Sequence, residues 1–265
     1  MSRLLIIPDI HGRKFWREAL ANNIGQVDRV IFLGDYLDPY GDEIEENPES
    51  MECEGFGDSQ NLLKMLHNIK FLKENEPGKY ILLTGNHTDS YIWSKFRAAD
   101  RTDYKNWEKY HKFFSENLNL FNLVWTEDNV IFSHAGISEE WAKLLCVKNN
   151  TKFKSILNTA KILQNVPVDE IPNDTLLISL LGQISYYRGG EYNYGSCEWA
   201  DIREHINFKE STSDSIISNI KEEGIFQVFG HSQVKIPIRS NNWICLDCRK
   251  GFIFDTITHE CSSCL

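Results

Sequence analysis

Short apolar runs that each stop at a polar, glycine-bearing turn recur along this chain, and they predict buried strands with functional groups at their ends. Arg3–Pro8 is almost pure Leu and Ile, as in a parallel strand covered on both faces. Val30–Leu33, Tyr80–Leu83, Val130–Phe132 and Phe226–Phe229 repeat the pattern with β-branched and aromatic residues. Between them, apolar positions at helical spacing predict helices over about Lys14–Ile24, Ser90–Ala99 and Tyr104–Asn117. A further helix runs from an Asp58 N-cap to about Lys73, with Leu62, Leu66 and Ile69 on its apolar face. Trp141 to about Leu181 reads as mostly helical. Leu120–Trp125 and Val130–Phe132 are expected to form a hairpin, and Trp243–Leu246 with Phe252–Phe254 a final one. The acidic stretch 42–57 reads as a loop, either a solvated face or a rim or lid over a site.

Composition narrows the classes. At 265 residues, without a low-complexity linker or internal repeat, the chain is expected to be a single domain, 1–265, with a mostly helical insertion over about 141–185. A formal charge of -10 and dispersed Lys and Arg speak against a nucleic-acid partner. No stretch is long enough to span a bilayer, so no membrane partner is expected. Seven cysteines, an odd number without a secretion signal, argue against a disulfide framework, and the expected location is cytoplasmic.

The strand ends carry Asp9/His11, Asp35/Asp38, Asn86/His87, His134 and His231. Taken singly, each also reads as a polar turn or a helix cap. Together they offer two Asp, three His and one Asn as metal ligands, hard to borderline donors suited to Mn, Fe or Zn. Six ligands exceed one tetrahedral zinc and suit two ions sharing a carboxylate, the arrangement that clamps both oxygens of a phosphoryl displacement.

In these motifs the chain resembles the calcineurin-like metallophosphoesterases. It is similar to their phosphoprotein-phosphatase branch, whose signature runs D-x-H-G, G-D-x-x-D, G-N-H, H-[GA]-G and a late G-H. Here these stand as Asp9-Ile10-His11-Gly12, Gly34-Asp35-Tyr36-Leu37-Asp38, Gly85-Asn86-His87, His134-Ala135-Gly136 and Gly230-His231, in the same order over nearly the whole chain. The resemblance implies an α/β (α+β) fold, a four-layer αββα sandwich of two mixed β-sheets flanked by helices. It implies that Asp9, His11 and His231 hold a first divalent transition-metal ion, that Asn86 and His134 hold a second, and that Asp35 bridges them. It also implies His87 as general acid, oriented by Asp38. Manganese is the expected metal, with Fe or Zn as alternatives.

The sequence departs from the branch twice. Pro39 stands where an arginine usually follows the second Asp of G-D-x-x-D, and Thr88 stands where a glutamate usually follows G-N-H. Arg188, in Tyr186-Tyr187-Arg188-Gly189-Gly190, lies where the branch carries another phosphate-binding arginine. The expected activity is that of a metal-dependent phosphatase acting on phosphoric monoesters. Phosphoserine/phosphothreonine protein is the leading substrate; a dinucleoside polyphosphate or other small phosphorylated substrate is the alternative. A non-catalytic metal-dependent binding protein is the third reading, against which an intact His87 and Asp38 speak. Cys245-x2-Cys248 and Cys261-x2-Cys264 have the spacing of a zinc ribbon, or else are two core cysteines and a free tail.

Overall fold

Strands that are apolar on both faces need cover on both sides. The computed structural model, which describes residues 2–40, 59–93, 99–212 and 215–264, provides that cover. The strands are β1 (Arg3–Ile7), β2 (Arg29–Phe32), β3 (Tyr80–Leu83), β4 (Phe121–Asn122), β5 (Val124–Glu127), β6 (Val130–Ser133), β7 (Phe226–Phe229), β8 (Ile238–Arg239), β9 (Trp243–Cys245), β10 (Phe252–Asp255) and β11 (Cys261–Ser263). They form two mixed sheets, one ordered β11-β10-β1-β2-β3-β4 and the other β5-β6-β7-β9-β8. The ligand-bearing strands β1, β2 and β3 run parallel, so their carboxyl ends share one edge. In the second sheet β6 and β7 are parallel likewise.

Alternation along each strand divides the core. Leu4, Ile6, Ile31 and Leu33 pack between the sheets against Phe132 and Val228. Leu5, Ile7, Val30 and Phe32 face the other way, in the core that holds Trp16 of helix α1 (Phe15–Asn23) and Leu62 and Leu66 of α2 (Ser59–Asn75). A one-residue register slip would exchange these two sets and move every ligand-bearing strand end with them. α3 (Asn86–Ile92) and α4 (Trp107–Ser115) follow β3. The outer face of the second sheet is covered by α5 (Glu139–Lys148), α6 (Ile156–Gln164) and α7 (Thr175–Leu181), from the stretch expected as a helical insertion. Gln164 ties α6 to β5 by accepting from the Thr126 N–H at 2.8 Å. The result is the four-layer αββα arrangement expected from the resemblance.

Three details differ from the sequence reading. Only the second half of the run Leu120–Trp125 enters the expected hairpin, with Val124–Glu127 antiparallel to Val130–Ser133. Phe121–Asn122 pairs with β3 in the first sheet, and after the buried Leu123 the chain crosses to pair with β6 in the second. Likewise β9 and β10 are not a hairpin, because β9 pairs with β7 and β10 with β1, in different sheets. The first crossing passes through the core and the second through the exposed Arg249 and Lys250, and in both the flanking apolar runs carry no mark of which sheet they join. The C-terminal tail is not free either: Cys261–Ser263 is strand β11, paired antiparallel with β10. Cys245 lies in one core cluster and Cys248 in the other, with Cys264 and Cys261 packed against these respectively. Among the described residues the four sulfurs form no metal-holding group, which goes against the zinc ribbon. The acidic stretch 42–57 and the Asp58 cap lie outside the described residues. Among the described residues no helix is long and apolar enough to cross a membrane.

Candidate metal centre

The strand ends meet because the loops after β1, β2, β3, β6 and β7 all turn toward one cavity. Gly34 makes the first turn after β2 at φ +112, where a Cβ would run into the Thr84 carbonyl. A Cβ on Gly230 would collide with an Asp9 carboxylate oxygen, so the β7 loop closes onto the β1 loop only with glycine there. His11, Asp35, Asp38 and His231 all adopt positive φ, at +46, +46, +63 and +60. For non-glycine residues such a backbone costs roughly 1–3 kcal/mol each, strain that surrounding contacts must hold.

Hydrogen bonds within the site supply that support. The His231 N–H donates to both Asp9 oxygens at 3.1 Å. His11 Nδ1–H donates to the Leu37 carbonyl at 2.7 Å, leaving Nε2 to the cavity, 3.7 Å from Asp35 Oδ2. His134 Nδ1–H donates to the Leu33 carbonyl at 2.8 Å. Its Nε2 then faces Asn86 Oδ1 at 3.0 Å, His231 Nδ1 at 3.1 Å and Asp35 Oδ2 at 3.3 Å. The other oxygen of Asp35 accepts the His87 N–H at 2.9 Å, in the first turn of α3.

Lone pairs therefore converge with little to separate them, and the centre requires positive charge. Burial pushes His134 down, but the Asp35 and Asp9 carboxylates outweigh it and carry its pKa up to about 10. Burial pushes Asp35 up, yet His134, His87 and His11 together hold it well below the usual carboxylate range. Burial, reinforced by the Asp35 charge, raises Asp9. His231 is lowered by burial, then by Arg188 and His134, and its buried Nε2 has no hydrogen-bond partner. A divalent cation among these donors fits the orphaned nitrogen and the crowded acceptors alike. Two groups have the geometry to hold one: His11, Asp35 and His87, and Asp35, His134 and His231. Asp35 belongs to both. The resemblance implied His231 beside Asp9 and His11; here its Nδ1 lies 3.1 Å from His134 Nε2 while its N–H donates to Asp9.

His87 is held differently from the other histidines. Its Nδ1–H donates to Asp38 Oδ2 at 2.7 Å, and the Tyr91 hydroxyl donates to Asp38 Oδ1. Asp38 is itself raised by burial, against the pull of His87. Arg188 reaches the rim from a short 3₁₀ turn, Tyr186–Arg188. Its Nη2 donates to the His231 carbonyl at 3.0 Å and to Ser232 Oγ at 2.7 Å, and its Nε pairs with Asp201 at 2.9 Å. Arg203 instead stays with Asp201 at the start of α8 (Ile202–His205), which a capping box with Glu204 begins. The cavity, about 130 Å³, is lined by Asp9, His11, Asp35, Asn86, His87, Arg188 and His231. Asp38 and His134 stand buried behind that lining. Tyr40, Arg101 and Trp199 also line it, and sequence reasoning found none of the three. A lone arginine after an expected helix carries no signal, since only the backbone turn at Arg101 aims it inward.

A family model described as calcineurin-like phosphoesterase matches residues 2–234. No curated protein matches. A solved structure of a protein serine/threonine phosphatase from Saccharomyces cerevisiae, with similarity to human phosphatase PP5, shares 12% identity at a TM-score of 0.50. That alignment covers 95% of this chain and 72% of the yeast chain, and it supports the fold.

Proposed function

The chain belongs to the calcineurin-like phosphoesterase family, a family of metal-dependent hydrolases, and from that premise we propose that it is a two-metal phosphatase of phosphoserine/phosphothreonine protein. The observation that carries the two-metal reading is Asp35, common to both ligand groups. Asp9, His11 and Asp35 would hold one ion, and Asp35, Asn86, His134 and His231 the other. When bound, such ions polarise a phosphoryl oxygen and lower the pKa of water. Manganese suits the O and N donors, as do iron and zinc.

The chain's own groups supply the rest. Asp38 fixes the His87 ring through Nδ1, which leaves Nε2 to the cavity as the proton donor to the departing alkoxide. Arg188 would bind the phosphoryl oxygens from the His231 side. Replacing Arg188 with Ala is expected to lower kcat/KM by roughly 10²-fold with metal content retained. Arg203→Ala should be milder, because Arg203 does not line the cavity. Steady-state kinetics with elemental analysis of both variants checks this; near wild-type kinetics for Arg188→Ala would place the clamp elsewhere.

A space of about 130 Å³ admits a phosphoryl group. The remainder of the substrate then lies along the surface, as a peptide segment does. A side-by-side assay with added Mn²⁺ tests the reading: kcat/KM for a phosphoserine peptide should exceed that for diadenosine tetraphosphate by at least roughly 10-fold. The reverse order would transfer the assignment to dinucleoside polyphosphates. Turnover of neither, nor of p-nitrophenyl phosphate, would leave a non-catalytic metal-dependent binding protein.

A further inference from the structure

We propose that Arg101 supplies the phosphoryl-binding guanidinium that Pro39 removes from the β2 loop, so that the substrate phosphate is held between Arg101 on the His87 side and Arg188 on the His231 side. The inference rests on the phosphatase reading and adds a substrate-binding residue to it. Position 39 cannot reach a phosphate, but the next residue, Tyr40, turns its ring to the cavity. The Arg101 guanidinium carbon lies 3.6 Å from the centroid of that ring. Its Nε is 3.4 Å from the Asp38 carbonyl, and its Nη2 is 3.5 Å from His87 Nε2. The side chain thus comes from the loop after α3 to lie on the Asp38–Tyr40 segment, the stretch that would otherwise carry an arginine of its own.

Two properties of this arrangement point to an anionic ligand. The contacts that hold the guanidinium are weak and exchangeable: a ring face and one long carbonyl contact, with the His87 nitrogen 3.5 Å away. Among the described residues no carboxylate forms an ion pair with Arg101, whereas Arg188 has Asp201. A phosphate dianion offers bidentate, charge-assisted hydrogen bonds that replace the long contacts with stronger ones. The backbone is also strained toward this geometry. Arg101 has φ +66 and Asp38, whose carbonyl faces it, has φ +63. Non-glycine residues held there tend to cluster at ligand clamps. The Nη2 contact to His87 Nε2 puts Arg101 beside the nitrogen assigned to the leaving group, so it meets the phosphoryl oxygens near the bond that breaks.

The test uses the full-length, Mn²⁺-loaded protein as wild type, Arg101→Ala, Arg101→Lys and the double variant Pro39→Arg/Arg101→Ala. Inorganic phosphate binding is measured by calorimetry, alongside kcat/KM on a phosphoserine peptide and metal content. Arg101→Ala should weaken phosphate binding by roughly 10-fold and lower kcat/KM by roughly 30–100-fold, with metal content unchanged. Arg101→Lys should recover part of the loss, and an arginine restored at 39 should recover more. Because phosphate binding is read without turnover, a wild type that binds phosphate but hydrolyses no ester would overturn the phosphatase reading and leave the clamp measurable. Phosphate affinity unchanged within twofold in Arg101→Ala would overturn the clamp. Arg101 is exposed, so the variants are expected to fold, and Arg101→Lys keeps the test decisive if the alanine variant does not.

Discussion

Asp35→Asn should cost the protein both its activity and its metals: kcat is expected to fall by at least roughly 10³-fold and metal content from about two ions per chain to below one. The substitution is nearly isosteric, and an amide oxygen can still accept the His87 N–H that Oδ1 now takes at 2.9 Å. What changes is charge. Oδ2 lies 3.3 Å from His134 Nε2 and 3.7 Å from His11 Nε2, one in each ligand group. An amide there is neutral, and in one orientation it turns hydrogens toward two nitrogens that need to offer lone pairs. Removing a group that merely supports a ligand costs about 10–100-fold in metal affinity, so removing the shared ligand should exceed that at both positions. Elemental analysis and kinetics on the purified variant measure both effects. A single metal equivalent in the wild type, unchanged in Asp35→Asn, would sink the two-metal reading.

His87→Asn should separate proton delivery from metal binding. We expect kcat on phosphoserine peptides to drop by roughly 10²–10⁴-fold while metal content stays at the wild-type level. Aryl phosphates should suffer much less, because a phenolate leaves without help. The geometry admits the opposite view, since His87 stands with His11 and Asp35 in one of the two metal-holding groups. Its ring argues for the acid role. Nδ1 is committed to Asp38 at 2.7 Å, and Nε2 lies 3.5 Å from Arg101 Nη2. Loss of metal in His87→Asn comparable to that in His134→Asn would reassign it as a ligand.

How far the site could be read in advance depended on the kind of signal each residue left. Asp9, His11, Asp35, Asn86 and His231 stood where an apolar run met a glycine, and the parallel strands bring those ends to one edge. The pairing of His87 with Asp38 was legible through the family motif. By contrast, α3 begins at Asn86 and not near Ser90, because the G-N-H turn has no capping side chain to announce a helix. The crossing at Leu123 and the separation of β9 from β10 left no mark, since an apolar run is equally at home in either sheet. Arg101 was illegible for a further reason: its place follows from a left-handed backbone turn at a non-glycine residue, which composition and periodicity do not encode.

The contact between the Asp9 carboxylate and the His231 amide joins residues 222 positions apart. On a ribosome adding about 5–20 residues per second, Asp9 exists for roughly 10–40 s before His231 is made. The wait extends past that, because β1 takes its antiparallel neighbour from Phe252–Asp255. Closing such long loops carries an entropic cost that is met before any non-local contact forms, so this topology belongs among the slower folders. The Asp9–His231 contact therefore cannot form before β7 and the residues after it have been synthesised. Before that, the nascent chain carries only part of the candidate ligand set.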